Sequence, residues 1–465
     1  MAIKSGYSSV VVGAQYGDEG KARAVDGMAD DYGVIARFNG GSNAGHTIKV
    51  GNITVFLHQV PSGVFYPDKT LYIGSGCVVH PSKLKAEILE ISQAGLSVKG
   101  RLHISATATL VQPHHVLIDS MNGGTIATTK QGIGPAYADR ATRMMDDRLV
   151  NIRAAELLSD FTKLETMVRA NLNDAIQQFA FDSIDADSLI AEFMDGCAFI
   201  REFVESDALF LVKKIESGIN ILYEGAQSVM LDVVNGPVPF VTSSCTLAAA
   251  AYTGGDLPHI YHRHTIGVVK AIMSRVGNGP FLSEYGGIES EQYCAKTINA
   301  RAAESTLDTQ QLLQSADPLD IAKGLRVRGN EYGATTGRPR RMGALDLVQL
   351  RQVIKLNAIN GLFLTKADCL QDFSLTQKGT VPIVTAYHLD GAEIDYIPAN
   401  VDAARRVQVT ITEFPAFSQD ISAIRHKEEL PKELLDILHF IESFTGCPIL
   451  TIGVGAEREQ FVDLI

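Results

Sequence analysis

The chain has 465 residues, 46% of them hydrophobic and 20% charged, with 41 glycines and 16 prolines, a globular composition that excludes disordered, collagen-like and low-complexity readings. Lys and Arg number 41 against 53 Asp and Glu, a formal net charge of −12; this argues against a nonspecific grip on a polyanion but allows a small anionic ligand held by a few local cations. Six dispersed cysteines without CxxC or zinc-finger spacing imply reduced thiols, and the lack of a signal-type segment or an apolar run near ~18 residues points to a soluble, cytoplasmic protein.

Taken in chain order, Val10-Val11-Val12 opens a buried strand that Gly13 ends, and helical patterning follows over 20–30. A short strand over 34–38 leads into a glycine-rich stretch at 39–47. Residues 71–73 and 102–104 are further strands. Apolar spacing of three and four predicts helices over 155–172 and 187–205. A strand over 219–223 delivers Glu224-Gly225-Ala226-Gln227, and one over 361–365 delivers Lys366-Ala367-Asp368. Pro431 and Gly446 bracket a helix over 432–444. The last strand, 448–452, ends at Gly453.

These strands are short and uninterrupted rather than alternating, as in a parallel or mixed sheet covered on both faces by helices. The fold class is therefore α/β, with a large, mostly parallel central sheet. Each polar motif stands just past the carboxyl end of a strand, where open α/β sheets bind ligands. No repeat and no Pro/Ser-rich linker divides the chain. One domain over 1–465 is expected, with a polar, partly helical excursion at 286–328.

Five motifs carry chemistry. Residues 13–21, Gly-Ala-Gln-Tyr-Gly-Asp-Glu-Gly-Lys, follow a strand and enter a helix, which is the setting of a phosphate-binding loop. They are not a Walker A motif: six residues rather than four separate Gly13 from Gly20-Lys21, and Ala22 stands in place of Ser or Thr. Asp18 and Glu19 are unusual there, since a carboxylate beside phosphate is repulsive unless it binds a cation or moves a proton. Residues 39–47 add three glycines with Asn43, His46 and Thr47, and a histidine can donate or accept near neutral pH. Thr335-Thr336-Gly337-Arg338-Pro339-Arg340-Arg341 suits carboxylate and phosphate oxygens. Thr365-Lys366-Ala367-Asp368 can place an acid against guanine N1–H and N2–H, although T-K-x-D alone is weak. Residues 128–137 are rich in hydroxyls and turn formers. His262-Arg263-His264 has no third metal ligand at a matching spacing, and His114-His115 reads as structural.

Together these motifs closely resemble the adenylosuccinate synthetase family over nearly the whole chain and in the family's order. The matches are Q-Y-G-D-E-G-K at 15–21, N-A-G-H-T at 43–47, G-I-G-P-A-Y at 132–137, E-G-A-Q at 224–227, V-T-S-S at 241–244, G-A-T-T-G-R-x-R-R at 333–341 and T-K-x-D at 365–368. The resemblance implies a ligase of purine biosynthesis that joins IMP and L-aspartate at the expense of GTP, through 6-phosphoryl-IMP.

By that resemblance Asp18 is the base that takes the N1 proton, His46 the acid, and Lys21 and Gln227 further catalytic residues. Asp18 and the backbone oxygen of Gly45 are the implied Mg²⁺ ligands. IMP is implied to meet residues 18–21 (Asp18, Glu19, Gly20, Lys21), Asn43, Ala44, Gly45, His46, Thr129, Gln227, Thr242 and Arg338. Arg143 of the other subunit completes that set, so a homodimer is implied. The GTP contacts implied are Gly17 with Asp18 to Lys21, Ala22, Arg23, Gly45, His46, Thr47, Arg340, Lys366, Ala367 and Asp368. Gly453, Val454 and Gly455 stand near the guanine. The aspartate loop holds Ala334, Thr335, Thr336, Gly337, Arg338 and Arg340.

Departures from the family pattern are Ala22-Arg23 for Gly-Lys, Lys130-Gln131 for Gly-Arg and Gly453-Val454-Gly455 for Ser-Thr-Gly. The 286–328 stretch is longer than in typical bacterial members. The alternatives are a paralogue acting on another purine nucleotide such as dGMP, and a nucleotide-binding protein without turnover. Some viral relatives of the first kind replace the loop Asp, which is retained here.

Overall fold

Strand formation follows the β-branched and aliphatic runs closely. The computed structural model describes residues 5–43, 45–50, 53–121, 129–297, 300–333 and 337–465, with main chain alone at 46–50 and 53–54. Contacts divide the chain into two units. The first comprises Met1–Val11, Ala22–Gln227 and Thr242–Arg263; the second comprises Val12–Lys21, Ser228–Val241 and His264–Ile465.

In the first unit six strands lie in the order Val204–Glu205, Leu102–Ser105, Thr70–Ile73, Val34–Arg37, Ile221–Glu224 and residues 8–11 of Ser8–Gly13, every pair parallel. Val10, Val11, Val34, Ile35, Ile221 and Leu222 are fully buried, as strands covered on both faces require. Each such aliphatic side chain contributes about 1.5–3 kcal/mol by leaving water. Helices Pro81–Gln93, Pro113–Met121, Ile133–Thr142, Phe161–Gln178 and Ala186–Ile200 belong to this unit. An antiparallel hairpin pairs His46–Val50 with Ile53–Leu57.

In the second unit His262–Lys270, from residue 264 on, pairs in parallel with Gly361–Thr365, which pairs in parallel with Ile449–Gly453. Phe461–Asp463 closes this run antiparallel. A separate sheet holds Thr380–Leu389 between Leu345–Asp346 and the long antiparallel strand Gln408–Pro415. Among the described residues the excursion holds four helices, Gly287–Lys296, Ala300–Glu304, Thr309–Leu313 and Pro318–Arg328, as its polar, partly helical pattern implied.

Two helix expectations need correction. The predicted 155–172 helix is a 3₁₀ turn at Ala154–Leu158 and then an α-helix from Phe161. Asp160 decides the start, because its carboxylate accepts the Thr162 N–H as an N-cap. The predicted 187–205 helix ends at Ile200. Val204 and Glu205 instead join the sheet edge opposite Ile104 and Ser105. The other predicted strands stand within two residues of their expected bounds, and the 432–444 helix runs Lys432–Thr445 with Gly446 left-handed after it. The six cysteines are free thiols. Among the described residues no helix is long and apolar enough to cross a membrane.

Candidate active site

The second unit holds one set of candidate residues, beginning with the loop after Gly13. Gly17, Asp18 and Gly20 all have positive φ, at 99°, 57° and 96°, a folding of backbone that turns N–H groups toward an anion. Gln15 anchors the loop by exchanging two hydrogen bonds of 3.0 Å with the main chain of Lys270. The side chain of Glu19 points inward. It accepts the N–H groups of Gln15 (3.2 Å) and Gly17 (2.7 Å), the Lys21 ammonium (2.9 Å) and the Ser228 hydroxyl. Burial acts to raise the Glu19 carboxyl, but Lys21 and Ser228 outweigh it and hold it below the usual range. Glu19 is thus the internal brace of the loop, and its side chain is filled by protein.

Gly13 exists for this brace: a Cβ there would collide with the Glu19 carboxylate and the Ser228 hydroxyl. Gly13→Ala is expected to cost about 1–3 kcal/mol by overpacking and to weaken nucleotide binding. Unfolding by urea together with nucleotide titration checks it, and an unchanged affinity would remove the brace's role in the loop.

Asp18 differs from Glu19. Its side chain is 44% exposed and pairs with Arg340 at 2.6 Å. Burial works to raise its carboxyl, yet Arg340, Lys270 and Lys21 together keep it below the usual carboxylate range. Arg340 also donates to Glu331 (2.8 Å), a carboxylate that Lys270 (3.1 Å) and Lys366 (2.9 Å) approach as well. The Ser274 hydroxyl adds a fourth contact at 2.7 Å. Lys270 and Glu331 are wholly buried. Burial acts against the Glu331 carboxylate, but the three cations hold it well below its ordinary value. Three cations against the carboxylates of Asp18 and Glu331 leave one surplus positive charge in this cluster, which suits a phosphate-bearing ligand.

The neighbouring strand ends carry the rest. Lys366 has a left-handed backbone (φ 59°) directly after Gly361–Thr365 and enters the 3₁₀ turn Ala367–Leu375, where Asp368 is half-buried. Gly453, Val454 and Gly455 end the adjacent parallel strand, with Val454 buried and its N–H given to Gln460. Arg338 is exposed, and Gly337 before it has φ 60°. Ala334, Thr335 and Thr336 lie outside the described residues. Lys270 and Glu331 were not among the expected site residues. The signal for Lys270 was present, since it ends the apolar run Thr265 to Val269 as the other polar motifs end theirs.

The first unit assembles a second set. The Asn39 amide donates to the Ala226 carbonyl (3.1 Å) and Ser244 (3.2 Å) and accepts the Ala226 N–H (2.8 Å). This ties the glycine-rich stretch to Gln227 and to the loop bearing Thr242. Gly40 gives its N–H to the Tyr137 hydroxyl, which donates to Gly76. Asn43 is half-buried and accepts the Gly41 N–H. Gln227 has φ 55°, and among the described residues its buried Oε1 has no hydrogen-bond partner. A strained backbone carrying an unsatisfied polar atom is a combination that clusters at functional sites.

Gly45 is exposed; Ala44 lies outside the described residues, and His46 and Thr47 are described by main chain only, at the start of the hairpin. Thr129 is exposed, with its carbonyl taken by Gln131. Lys21 opens helix Lys21–Met28; Ala22 is buried behind it, and Arg23 is half-buried. Arg143 is exposed on a backbone with φ 67°, while its own N–H and C=O are held by Asp139 and Val150.

His114 and His115 each place Nε2 2.9 Å from Asp139. His115 Nδ1 accepts the Gln112 N–H, so its proton sits on Nε2 and faces the carboxylate. A metal at Nε2 would need the reverse tautomer and would set two N–H groups against each other. Both rings are tied to Asp139 by these hydrogen bonds.

Comparison with known proteins agrees with this geometry. The family model for adenylosuccinate synthetase matches residues 10–462. Adenylosuccinate synthetase 2 of Cupriavidus pinatubonensis is 42% identical over 99% of this chain and 98% of its own. The adenylosuccinate synthetase of Carboxydothermus hydrogenoformans is 35% identical over 98% of each chain. The structure of fully ligated adenylosuccinate synthetase from Plasmodium falciparum matches with a TM-score of 0.85 at 29% identity, over 99% of this chain and 100% of that one. The cyanophage S-2L succinoaminodeoxyadenylate synthetase bound to dGMP and dATP shares the fold alone, at 16% identity and a TM-score of 0.56 over 99% and 96% of the two chains.

Proposed function

Because the chain belongs to the adenylosuccinate synthetase family, a family of ligases that form a C–N bond, we propose that it joins L-aspartate to IMP with GTP, giving adenylosuccinate, GDP and phosphate. The observation that carries this reading is Asp18: a half-exposed, ionised carboxylate in an anion-binding loop, backed by a cluster with one cation to spare.

Purine O6 is a poor nucleophile, and its carbon bears a poor leaving group. Asp18 accepts the N1 proton of IMP, and the freed electron pair moves onto O6. O6 bonds to the γ-phosphorus of GTP while the bond to the bridging oxygen breaks, leaving GDP. His46, by the family resemblance, donates toward the developing charge. The amine of aspartate then bonds to C6, the C6–O bond breaks with phosphate leaving, and the amine loses a proton. Lys21, the loop amides and the surplus cation of the Glu331 cluster screen the transferring group. Gln227 holds its unpartnered oxygen for the purine. Arg340 must release Asp18 for the first proton transfer, so ligand entry exchanges one ion pair for another.

The residues fit Mg²⁺: Asp18 is a hard, ionised, half-exposed oxygen donor, and the Gly45 carbonyl is the second ligand by resemblance. One ion per subunit would be held there and, when bound, would neutralise charge on the phosphoryl oxygens.

The remaining assignments belong to the same proposal. IMP meets Asn43, Thr129, Gln227, Thr242 and Arg338, and the 334–340 loop takes aspartate. Residues 1–465 act as one catalytic domain with 286–328 inserted. The enzyme is a cytoplasmic homodimer; exposed Arg143, held on a strained backbone beside exposed Met144 and Met145, supports a reach into a partner.

Asp368 selects guanine by accepting N1–H and N2–H. Asp368→Asn is expected to raise the KM for GTP about 10- to 100-fold, the worth of charge-assisted hydrogen bonds, with the KM for IMP unchanged; equal effects on both would remove the assignment. The function itself is tested by giving the purified protein Mg²⁺, L-aspartate and GTP with IMP or dGMP, and following product absorbance and phosphate release. Release with IMP is expected. Release with dGMP alone would make the protein the other paralogue, and no release would leave a binder.

A further inference from the structure

Within the excursion at 286–328 a buried ion pair stands directly behind the turn that carries Arg340. Glu304, at the end of helix Ala300–Glu304, and Arg326, on helix Pro318–Arg328, are both shut off from solvent and pair at 2.5 Å. Both oxygens of Glu304 are filled: Oε1 also accepts the Tyr293 hydroxyl (2.7 Å), and Oε2 accepts the Tyr332 hydroxyl (2.6 Å). Arg326 turns its Nε outward from this pair and donates to the carbonyl of Arg340 at 2.7 Å.

The main chain of Arg340 is therefore pinned on both sides, since its own N–H goes to the Glu331 carbonyl at 3.0 Å. Tyr332 stands opposite Pro339 in a β-bridge, so the second oxygen of Glu304 steadies the other edge of the same turn. From a main chain so held, the Arg340 guanidinium reaches both Asp18 and Glu331.

Burying two charges is costly, and a buried pair is weak evidence of stabilisation by itself. Here its geometry is spent on the position of a ligand-binding arginine. We infer that Glu304 is a positioning residue of the reaction, acting through Arg326 and Tyr332 to set the Arg338–Arg340 turn, so that the polar excursion tunes how tightly GTP and aspartate are held. The inference rests on the reading of Arg340 as a ligand-binding residue.

The test compares the full-length Glu304→Gln and Tyr332→Phe variants with wild type in steady-state assays that vary GTP, aspartate and IMP separately. Glu304→Gln keeps the shape and removes the charge; Tyr332→Phe keeps the ring and removes one donor. The expected result is a rise in KM for GTP and aspartate of about 5- to 50-fold in Glu304→Gln and about 3-fold in Tyr332→Phe, with kcat within about 3-fold. A fall in thermal stability with all three KM values unchanged would overturn the inference and leave the pair merely structural. If Glu304→Gln does not fold, Tyr332→Phe decides on the same criterion. Arg340→Ala runs alongside: a loss of more than about 100-fold in kcat/KM upholds the reading of the turn independently, and a silent Arg340→Ala would remove that reading and this inference with it.

Discussion

Replacing Asp18 by Asn is expected to lower kcat by about 10²–10⁴-fold, the usual worth of a general base, while leaving the fold intact. The side chain is half-exposed, and although it pairs with Arg340 the loop itself is held by Glu19, Gln15 and Ser228. The amide keeps a hydrogen-bonding oxygen for Arg340 but cannot take a proton from N1. Because the neighbouring cations hold the Asp18 carboxyl below its ordinary value, it is already ionised at neutral pH. The acid limb of kcat/KM assigned to Asp18 should therefore appear only below about pH 4, the ordinary aspartate value. Circular dichroism with steady-state kinetics checks both points, and a folded Asn variant within about threefold of wild type would end the assignment.

Glu331→Gln carries the largest expected effect on stability, about 3–5 kcal/mol, because it strands Lys270 and Arg340 beside a neutral group in a buried place. The folded Glu331 carboxyl lies well below 4.5. A carboxyl depressed on folding contributes its full stabilisation above its unfolded pKa and loses it as pH falls through the folded one. The gap between wild type and Glu331→Gln should thus be complete at pH 7 and begin to shrink only below about pH 4.3. Urea unfolding across that range measures it. A gap under about 1 kcal/mol at neutral pH, the size of an exposed pair, would show that the cluster is not held by this carboxylate.

Much of this was legible in the residue order. Apolar runs such as Val10 to Val12 and Gly361 to Thr365 became buried parallel strands, because burial on both faces leaves no alternation to confuse their period. The loop acids were legible as a pair but not as two different groups. Nothing local tells that Glu19 folds inward onto Ser228, more than two hundred residues away, while Asp18 faces Arg340. That division is made by tertiary contacts, as is the Glu331 cluster, whose lysines come from three separate segments of chain together with Arg340. Helix starts failed where a cap was overlooked: Asp160 carries the signal that places the helix at Phe161 rather than six residues earlier. Gln227 shows the opposite case, where the motif was plain but its left-handed backbone and empty oxygen appear only in the fold.

The mechanism turns on O6 of the purine bonding to phosphorus and leaving C6 as part of the phosphate. Oxygen labelling measures this most directly: IMP carrying ¹⁸O at the 6-position is turned over with GTP and aspartate, and the released phosphate is weighed. Every phosphate formed is expected to carry one ¹⁸O from the purine. Phosphate of ordinary mass, with the label lost to water, would contradict it.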